Sequence, residues 1–223
     1  MKVFAAAGVL LFTGVFALAQ NEQAPLVEKD IAYKNWTYRN VQTDKEAKLR
    51  DLIKDKKLTI VVYYAPWCGN WRHDAPSLQK LYDKYKTAGL EIIAVGEYDP
   101  VDSMKSNLSS MNITFPAYYE STDRADKQKT RHYDYRHSTG DSRNWGSPYY
   151  VFIEPAAVEK KGDTILSHTH VINGEMIMDE GEKFIREKLG LPAVDLKAAT
   201  AAKEKAEACD PSAPAVIAPV KKP

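Results

Sequence analysis

Cysteine is scarce in this chain of 223 residues, which contains only Cys68 and Cys209. Two cysteines are too few for the dense disulfide framework of small secreted scaffolds, so apolar packing has to stabilise the core. Three alternatives remain open for the two thiols: they pair with each other, they pair with other chains, or they take part in chemistry.

Other features are also missing. The 31 Lys and Arg residues nearly balance the 30 Asp and Glu residues, so the charge indicates neither a nucleic-acid partner nor an anionic membrane. The sequence has no internal repeat and no glycine-rich loop that would cradle a phosphate. No stretch after the N-terminus is apolar enough over about 20 residues to span a bilayer.

The N-terminus is typical of an export signal. Lys2 supplies a positive charge, residues 3–18 are almost wholly apolar, and a small-x-small cleavage site ends at Ala19. The apolar run is shorter than the roughly 20 residues of a membrane-spanning helix, although a membrane anchor is the alternative. We predict a signal peptide over residues 1–19, a mature chain that begins at Gln20, and no membrane association after cleavage.

Alternating strands and helices are predicted for the middle of the chain. β-branched, apolar or alternating runs predict strands at residues 58–64, 90–96, 149–154 and 164–172, with a short apolar segment at 117–119. Apolar periodicity and capping residues predict helices at residues 43–56, 70–87, 102–111 and 179–189. Thr43 and Asp179 are the expected caps of the first and last helix. This alternation indicates βαβ units and a parallel core, which is the α/β class.

Composition divides the chain into four parts. After the signal peptide we expect an extended lead-in at residues 20–42, one domain at residues 43–190, and a tail at residues 191–223. The tail is rich in Ala, Lys and Glu and then in Pro, so we expect it to be disordered. Within the domain, residues 120–145 are polar, aromatic and basic and predict an irregular excursion. A solvent-facing loop is favoured there over a segment that flanks the site and recognises a partner.

The clearest chemical pattern surrounds Cys68. This cysteine lies where a predicted buried strand turns into a helix, so unpaired N–H groups and the helix dipole favour its thiolate form. Arg72 and His73 follow within the first turn and add positive potential. The alternative is a buried and inert cysteine.

Residues 65–76, with the sequence APWCGNWRHDAP, resemble the active-site region of thioredoxin-like proteins of the TlpA/ResA-like and AhpC/TSA redoxin types. Trp67 and Cys68 match the Trp-Cys pair of these redoxins, and the resemblance covers about residues 58–190. It implies a thioredoxin-like fold with a central mixed sheet flanked by helices. It also implies thiol–disulfide exchange with Cys68 as the nucleophile.

The resemblance extends into the helix after the cysteine. Arg72 matches a basic residue of the family, and Pro76 matches the proline that bends the first active-site helix. Asp74 stands where the TlpA/ResA-like subfamily has a carboxylate that tunes proton transfer, so the resemblance implies a catalytic role for it. The alternative for Asp74 is a solvated charge on the helix surface.

A second segment, residues 146–153, resembles the cis-proline strand of the same family. There the residue before the proline offers its backbone to an extended substrate. We therefore expect a cis Ser147–Pro148 bond, with both residues lining the substrate site. An ordinary trans turn is the alternative.

The chain departs from the family where the second active-site cysteine is replaced by Trp71. A tryptophan cannot attack a mixed disulfide to release the substrate, so the resemblance implies a monothiol enzyme. Trp71 is then expected to pack near the sulfur. Cys209, in the flexible tail, is a possible resolving thiol. The alternatives are that Cys209 links two chains or that it has no role.

The predicted function is therefore an exported thiol–disulfide oxidoreductase that acts on protein or small-molecule thiols and disulfides without a cofactor. The main alternative is a redox-inactive binding module that uses the groove around Trp67, Trp71 and Pro148. A peroxidase is the third possibility, but Ala65 stands where peroxiredoxins place a threonine.

Two histidines of the sequence are candidate metal ligands. His168 and His170 alternate on one face of a predicted strand, and a metal would bridge them only with a further ligand. The spacing of the sequence offers no third ligand, so no metal site is predicted. The oligomeric state does not follow from the sequence.

Overall fold

The computed structural model of the protein describes residues 22–193. The predicted signal peptide with its cleavage site, the possible resolving thiol Cys209 and nearly all of the predicted tail lie outside these residues. Between Glu22 and Ala193 no helix combines the length and the apolar character that crossing a membrane requires.

The chain forms ten strands and five helices within the described residues. In chain order the strands are β1 (Gln23–Ala24), β2 (Val27–Lys34), β3 (Thr37–Asn40), β4 (Glu46–Lys48), β5 (Leu58–Tyr64), β6 (Leu90–Gly96), β7 (Ala117–Tyr119), β8 (Tyr149–Ile153), β9 (Thr164–Ile172) and β10 (Glu175–Met176). The helices are α1 (Leu49–Leu52), α2 (Gly69–Tyr85), α3 (Val101–Ser110), α4 (Arg131–Ser138) and α5 (Met178–Lys188). Short 3-10 turns occupy Lys86–Ala88, Arg124–Lys129 and Pro155–Ala157.

Eight strands form one mixed sheet in the order β2-β9-β8-β5-β6-β7-β3-β4. The pairs β5–β6 and β6–β7 are parallel, whereas β8 runs antiparallel to β5 on its other side. The short strands β1 and β10 pair in parallel as a separate two-stranded sheet. The predicted α/β class with a central mixed sheet flanked by helices is confirmed.

The sheet is buried on both faces at its centre, because every residue of β5 and β6 is buried. Alternate residues of β5 point to opposite faces. Val62 packs in a cluster with Leu78 of α2, and Val61 packs in a second cluster with Tyr135 of α4. Helices therefore cover both faces, which is the environment in which continuous β-branched strands are favoured.

Most predicted elements are confirmed with ends shifted by at most two residues, the ordinary uncertainty of element boundaries. The strands predicted at residues 58–64, 90–96, 117–119 and 164–172 are β5, β6, β7 and β9. The helices predicted at residues 70–87 and 102–111 are α2 and α3. The predicted extended lead-in at residues 20–42 contains β2 and β3, and both are strands of the main sheet.

The helix predicted at residues 43–56 is wrong. Only α1 is helical there, and β4 pairs antiparallel with β3 instead. The side-chain oxygen of Asn40 accepts hydrogen bonds from the backbone N–H groups of Gln42 and Thr43, both at 2.9 Å, and forms a tight turn. This turn and the strand pairing outweigh a local helix propensity, which is a weak determinant.

Residues 120–145 were expected to be irregular, yet they contain α4. The hydroxyl of Thr130 caps this helix by accepting a hydrogen bond from the backbone N–H of Tyr133 at 3.1 Å. The buried face of α4 consists of His132, Tyr135 and Arg136. Because two of these three side chains are polar, the apolar periodicity that reveals most helices is absent from the sequence.

The last helix also differs at its start. α5 begins at Met178, its N-cap position is Ile177, and no side chain caps it. Asp179 was expected to be the cap but lies within the first turn. A carboxylate there still interacts favourably with the helix dipole.

Gly174 provides a test of how β1 packs. A Cβ atom at this position would lie 2.2 Å from the backbone oxygen of Glu22, a contact that only a backbone shift relieves. We expect Gly174→Ala to displace β1 from β10 and to lower the free energy of unfolding by roughly 1–3 kcal/mol in urea titrations. Gly69→Ala is the control, because its Cβ would meet no atom within 4 Å. Equal stability of the two variants would contradict this packing.

Candidate active site

Cys68 lies at the junction between β5 and α2. It is the N-cap residue of α2 with an extended backbone, φ −72° and ψ 127°, and its N–H donates to the carbonyl oxygen of Ala65 at 2.9 Å. Cys68 is half-buried and forms no disulfide within the described residues. The sequence-based prediction that the sulfur lies at a strand-to-helix turn is confirmed. Its role as nucleophile remains a prediction.

Two hydrogen bonds connect this turn to the loop before β8. The Cys68 Sγ donates to the backbone oxygen of Ser147 at 3.2 Å, and the Ser147 Oγ accepts from the backbone N–H of Ala65 at 3.0 Å. The Ser147–Pro148 peptide bond is cis, as predicted. The structure therefore brings Cys68 next to Ser147 and Pro148, although Cys68 and Ser147 are 79 positions apart in the sequence.

Trp71 packs behind the cysteine. Its side chain is fully buried, its ring centroid lies 4.4 Å from that of Tyr64, and its Nε1–H donates to Asn107 Oδ1 at 2.9 Å. A ring with no exposed surface cannot touch a substrate, so its expected contribution to the groove is indirect. The ring of Trp71 therefore belongs to the hydrophobic core.

Asp74 is buried in α2 with 2% of its surface exposed, so the alternative of a solvated helix charge is wrong. Its carboxylate accepts hydrogen bonds from the Tyr150 hydroxyl and from the Met176 N–H, the latter at 3.0 Å. Burial raises its pKa to about 6, although these two hydrogen bonds oppose the shift. The described contacts of Asp74 do not include Cys68, so any influence on the sulfur acts at a distance.

Comparison with known proteins identifies the family. The family model described as AhpC/TSA matches residues 22–158, which is more than half of the chain. The chain belongs to the AhpC/TSA family. Together with the mixed sheet and the cysteine at the start of α2, this membership confirms the predicted thioredoxin-like redoxin fold.

Individual proteins show more distant similarity. A segment of 44 residues, 19% of this redoxin, is 41% identical to a protein disulfide-isomerase of Saccharomyces cerevisiae and spans only 8% of that protein. A putative protein disulfide isomerase from Bacteroides thetaiotaomicron has a TM-score of 0.49 and 17% identity, over 75% of this chain and 94% of the other. A secreted Mycobacterium tuberculosis disulfide oxidoreductase has a TM-score of 0.45 and 14% identity, over 70% and 95%.

An aromatic wall flanks the cysteine of the redoxin. Trp67 is half-buried, meets Trp145 edge-on at 5.1 Å between ring centroids, and carries the guanidinium of Arg124 4.6 Å above its ring. Beside Trp67 opens a cleft of about 540 Å³. It is lined by Pro66, Arg72, Asp99, Ser103, Ser106, Asn107, Ser110 and Met111 as well. The partly exposed ring of Trp67, the residue before Cys68, offers a contact surface for a substrate.

The sequence-based analysis missed His132 of α4. Its Nε2 lies 3.1 Å from the backbone oxygen of Gly146, one residue before Ser147, and its Nδ1 lies 2.9 Å from the Tyr98 hydroxyl. Burial, and next the nearby charge of Arg136, lower the pKa of His132 to about 3, so the ring is neutral. Nε2 therefore carries the proton, since Gly146 O can only accept. The i,i+4 spacing of His132 and Arg136 after the Thr130 cap was the available clue.

The two histidines considered as metal ligands lie elsewhere, on β9. His168 Nδ1 contacts Asp30 at 2.8 Å, and His168 and His170 both approach the carboxylate of Glu28, at 3.6 and 3.4 Å. Among residues 22–193, no group of three or more His, Cys, Asp and Glu side chains is arranged to hold a metal ion.

Asp74 predicts a specific pH dependence of stability. Because its pKa of about 6 in the folded protein exceeds its usual value of 3.8, its contribution to stability falls as the pH rises from about 4 to about 6. Asp74→Asn removes this loss and keeps an acceptor oxygen. We expect the variant to gain about 2 kcal/mol relative to the original protein between pH 4 and pH 7.

Urea titrations of both proteins at the two pH values measure this difference, and it isolates Asp74 because all other titrating groups are shared. Parallel pH dependence of the two unfolding free energies would show that the carboxyl group ionises normally.

Proposed function

We propose that the protein is an exported thiol–disulfide oxidoreductase of the monothiol type, with Cys68 as its nucleophile. The observation that carries the proposal is the place of its sulfur: half-buried at the N-terminus of a helix of 17 residues and 3.2 Å from the backbone oxygen of Ser147. The dipole and unpaired N–H groups of such a helix end favour a thiolate, which is the reactive form.

The reaction consists of two thiol–disulfide exchange steps, and the second step, with a second thiol, restores Cys68. The Cys68 thiolate attacks one sulfur of a substrate disulfide, an S–S bond forms, the original S–S bond breaks, and the other substrate sulfur leaves as a thiolate. The thiolate of a low-molecular-weight or protein thiol then attacks the substrate sulfur of the mixed disulfide, a new S–S bond joins these two sulfurs, and Cys68 leaves as a thiolate. No cofactor takes part, and electrons pass only between sulfur atoms.

The groove residues are assigned roles consistent with this step. Ser147 and Pro148 present the backbone on which an extended substrate aligns, and Trp67 supplies an apolar wall beside the sulfur. Asp74 modulates the reaction through its charge, which appears as the pH rises through about 6 and disfavours a nearby thiolate. These roles would give protein disulfides and peptide disulfides as the preferred substrates.

Export is part of the proposal and is supported by the pattern of residues 1–19. A resolving role of Cys209 is a further hypothesis, since that residue lies outside the described part of the chain. Both are tested directly: N-terminal sequencing of the protein after export should begin at Gln20, and a Cys68–Cys209 disulfide would appear in a non-reducing peptide map.

The second candidate function is a binding module without redox turnover, which the core position of Trp71 favours. With no thiol at that position, release of a mixed disulfide depends on an external thiol. In this alternative the surface around Trp67 and Pro148 binds its partner and the sulfur is dispensable. A peroxidase is less consistent, because the non-polar Ala65 offers no hydroxyl to hold a peroxide.

Cys68→Ser distinguishes the two candidates. We expect the variant to lose mixed-disulfide formation at position 68 with a model peptide disulfide, measured by mass spectrometry of the peptide that contains this residue after acid quenching. Serine lacks the sulfur but preserves the hydrogen bond to Ser147, so folding should be unaffected. Cys209→Ser is the matched control and should retain the reaction at Cys68.

A failure of the Cys209→Ser protein to form any mixed disulfide would refute the oxidoreductase. Retention of partner binding by Cys68→Ser under that condition would establish the binding module instead.

A further inference from the structure

We propose that α4 is a positioning helix for the substrate-binding backbone: His132 and Arg136 hold the loop before β8 so that Ser147 faces the sulfur of Cys68. This inference rests on the proposed thiol–disulfide exchange and adds two residues that the resemblance to known redoxins did not supply. Neither residue touches the reacting atoms, so both are positioning residues.

Arg136 is fully buried, which is rare for an arginine unless its charge and N–H groups are used. Its Nη1 donates to the backbone oxygen of Arg143 at 2.5 Å and its Nη2 donates to that of Asn144 at 3.1 Å. The carboxylate of Asp141 lies 4.0 Å from the guanidinium and supplies a buried counter-charge. The rigid fork of one side chain thus fixes two consecutive carbonyl groups of the loop.

His132 lies one helical turn before Arg136 and acts on the next part of the loop. Its neutral ring donates from Nε2 to the Gly146 oxygen at 3.1 Å. The ring is stacked on Tyr63 of β5 with 5.2 Å between centroids and 7° between planes, and the Tyr98 hydroxyl donates to its Nδ1. The imidazole is therefore held on both sides before any substrate arrives.

Gly146 shows how closely the helix and the loop fit. Its φ of +60° lies in the left-handed region, and a Cβ atom there would lie 2.4 Å from Cδ of Arg136. Glycine alone meets both conditions at low cost. The loop passes directly over the arginine stem, so the position of Arg136 is transmitted to Ser147.

A third basic side chain completes the arrangement. Arg143 is held by the carboxylate of Asp141, with 2.7 Å from Nη2 to Oδ2, and its Nη2 also donates to the backbone oxygen of Pro148 at 3.0 Å. The carbonyl groups of residues 143, 144, 146 and 148 thus accept hydrogen bonds from basic side chains. The carbonyl group of Ser147, which lies between residues 146 and 148, accepts a hydrogen bond from the Cys68 sulfur.

This pattern has a functional consequence. An extended peptide that pairs with the backbone of Ser147 needs that backbone to be ordered beforehand, because ordering it during binding would cost conformational entropy. A small reagent that reaches the sulfur directly has no such requirement. Loosening the loop should therefore slow reaction with a peptide disulfide but not with a small alkylating reagent.

The experiment compares two rates in protein carrying Cys209→Ser. The first is mixed-disulfide formation with an extended peptide whose single cysteine is joined to glutathione, and the second is alkylation of Cys68 by iodoacetamide. For Arg136→Met, which keeps the stem and removes the donors, we expect the peptide rate to fall about tenfold, the effect of losing one or two hydrogen bonds. The iodoacetamide rate should stay the same.

His132→Phe keeps an aromatic ring against Tyr63 but removes the hydrogen-bond donor. It should also lower the peptide rate without changing the iodoacetamide rate, which provides a second test if Arg136→Met does not fold. Arg136→Lys should recover part of the peptide rate. His137→Phe, at an exposed position of the same helix, is the matched control and should change neither rate.

Parallel changes of the two rates, or no change in either, would overturn the positioning role. Absence of any peptide mixed disulfide in the parent protein would instead refute the proposed function, so the two failures are distinguishable.

Discussion

The pair of hydrogen bonds from Ser147 to the turn before α2 is the contact on which the arrangement of the candidate site depends. One bond joins the Ser147 Oγ to the backbone of Ala65, and the other joins its carbonyl to the Cys68 sulfur. They connect the end of β5 to the start of its antiparallel neighbour β8. Since β5 is buried on both faces, the cysteine is carried on a rigid support, as precise thiol chemistry requires.

At the same junction Trp71 packs behind the cysteine turn. The Trp71 ring lies in the core, packs at a tilt against Tyr64 and donates its N–H to Asn107. The side-chain amide of Asn107 also donates to the carbonyl of Pro66 at 3.2 Å, next to the aromatic wall. Through Asn107, the tryptophan is thereby connected to the backbone of the cysteine turn.

Two sets of hydrogen-bonded polar groups are buried near the site. Asp74 is held on the helical side by Tyr150 and by the backbone of Met176. On the loop side, Arg136 and its counter-ion Asp141 bind backbone and each other. Buried charge is costly unless it is neutralised or hydrogen-bonded, so such sets are expected to be rigid. Rigidity here fixes the loop that would bind the substrate.

Sequence alone was sufficient for the elements with strong local patterns. The continuous apolar runs of β5 and β6, the apolar face of α2 and the motif at Cys68 identified the core and the family resemblance. These features are local, because the apolar patterns of a buried strand and of an amphipathic helix depend only on residues close together in the sequence. The helix predicted at residues 43–56 failed since pairing of β4 with β3 is a long-range contact that propensity does not contain.

The sequence by itself determined that the cysteine lies at a strand-to-helix turn and which proline follows the cis peptide bond beside it. Only the tertiary structure decided that Trp71 belongs to the core, that Asp74 is buried with an elevated pKa, and that α4 supports the proline loop. Burial and hydrogen-bond partners are properties of neighbours brought together by folding. In the sequence His132 and Arg136 look like surface residues, because their partners are backbone carbonyl groups. Every residue has such a group, so the sequence does not indicate which ones fold against these side chains.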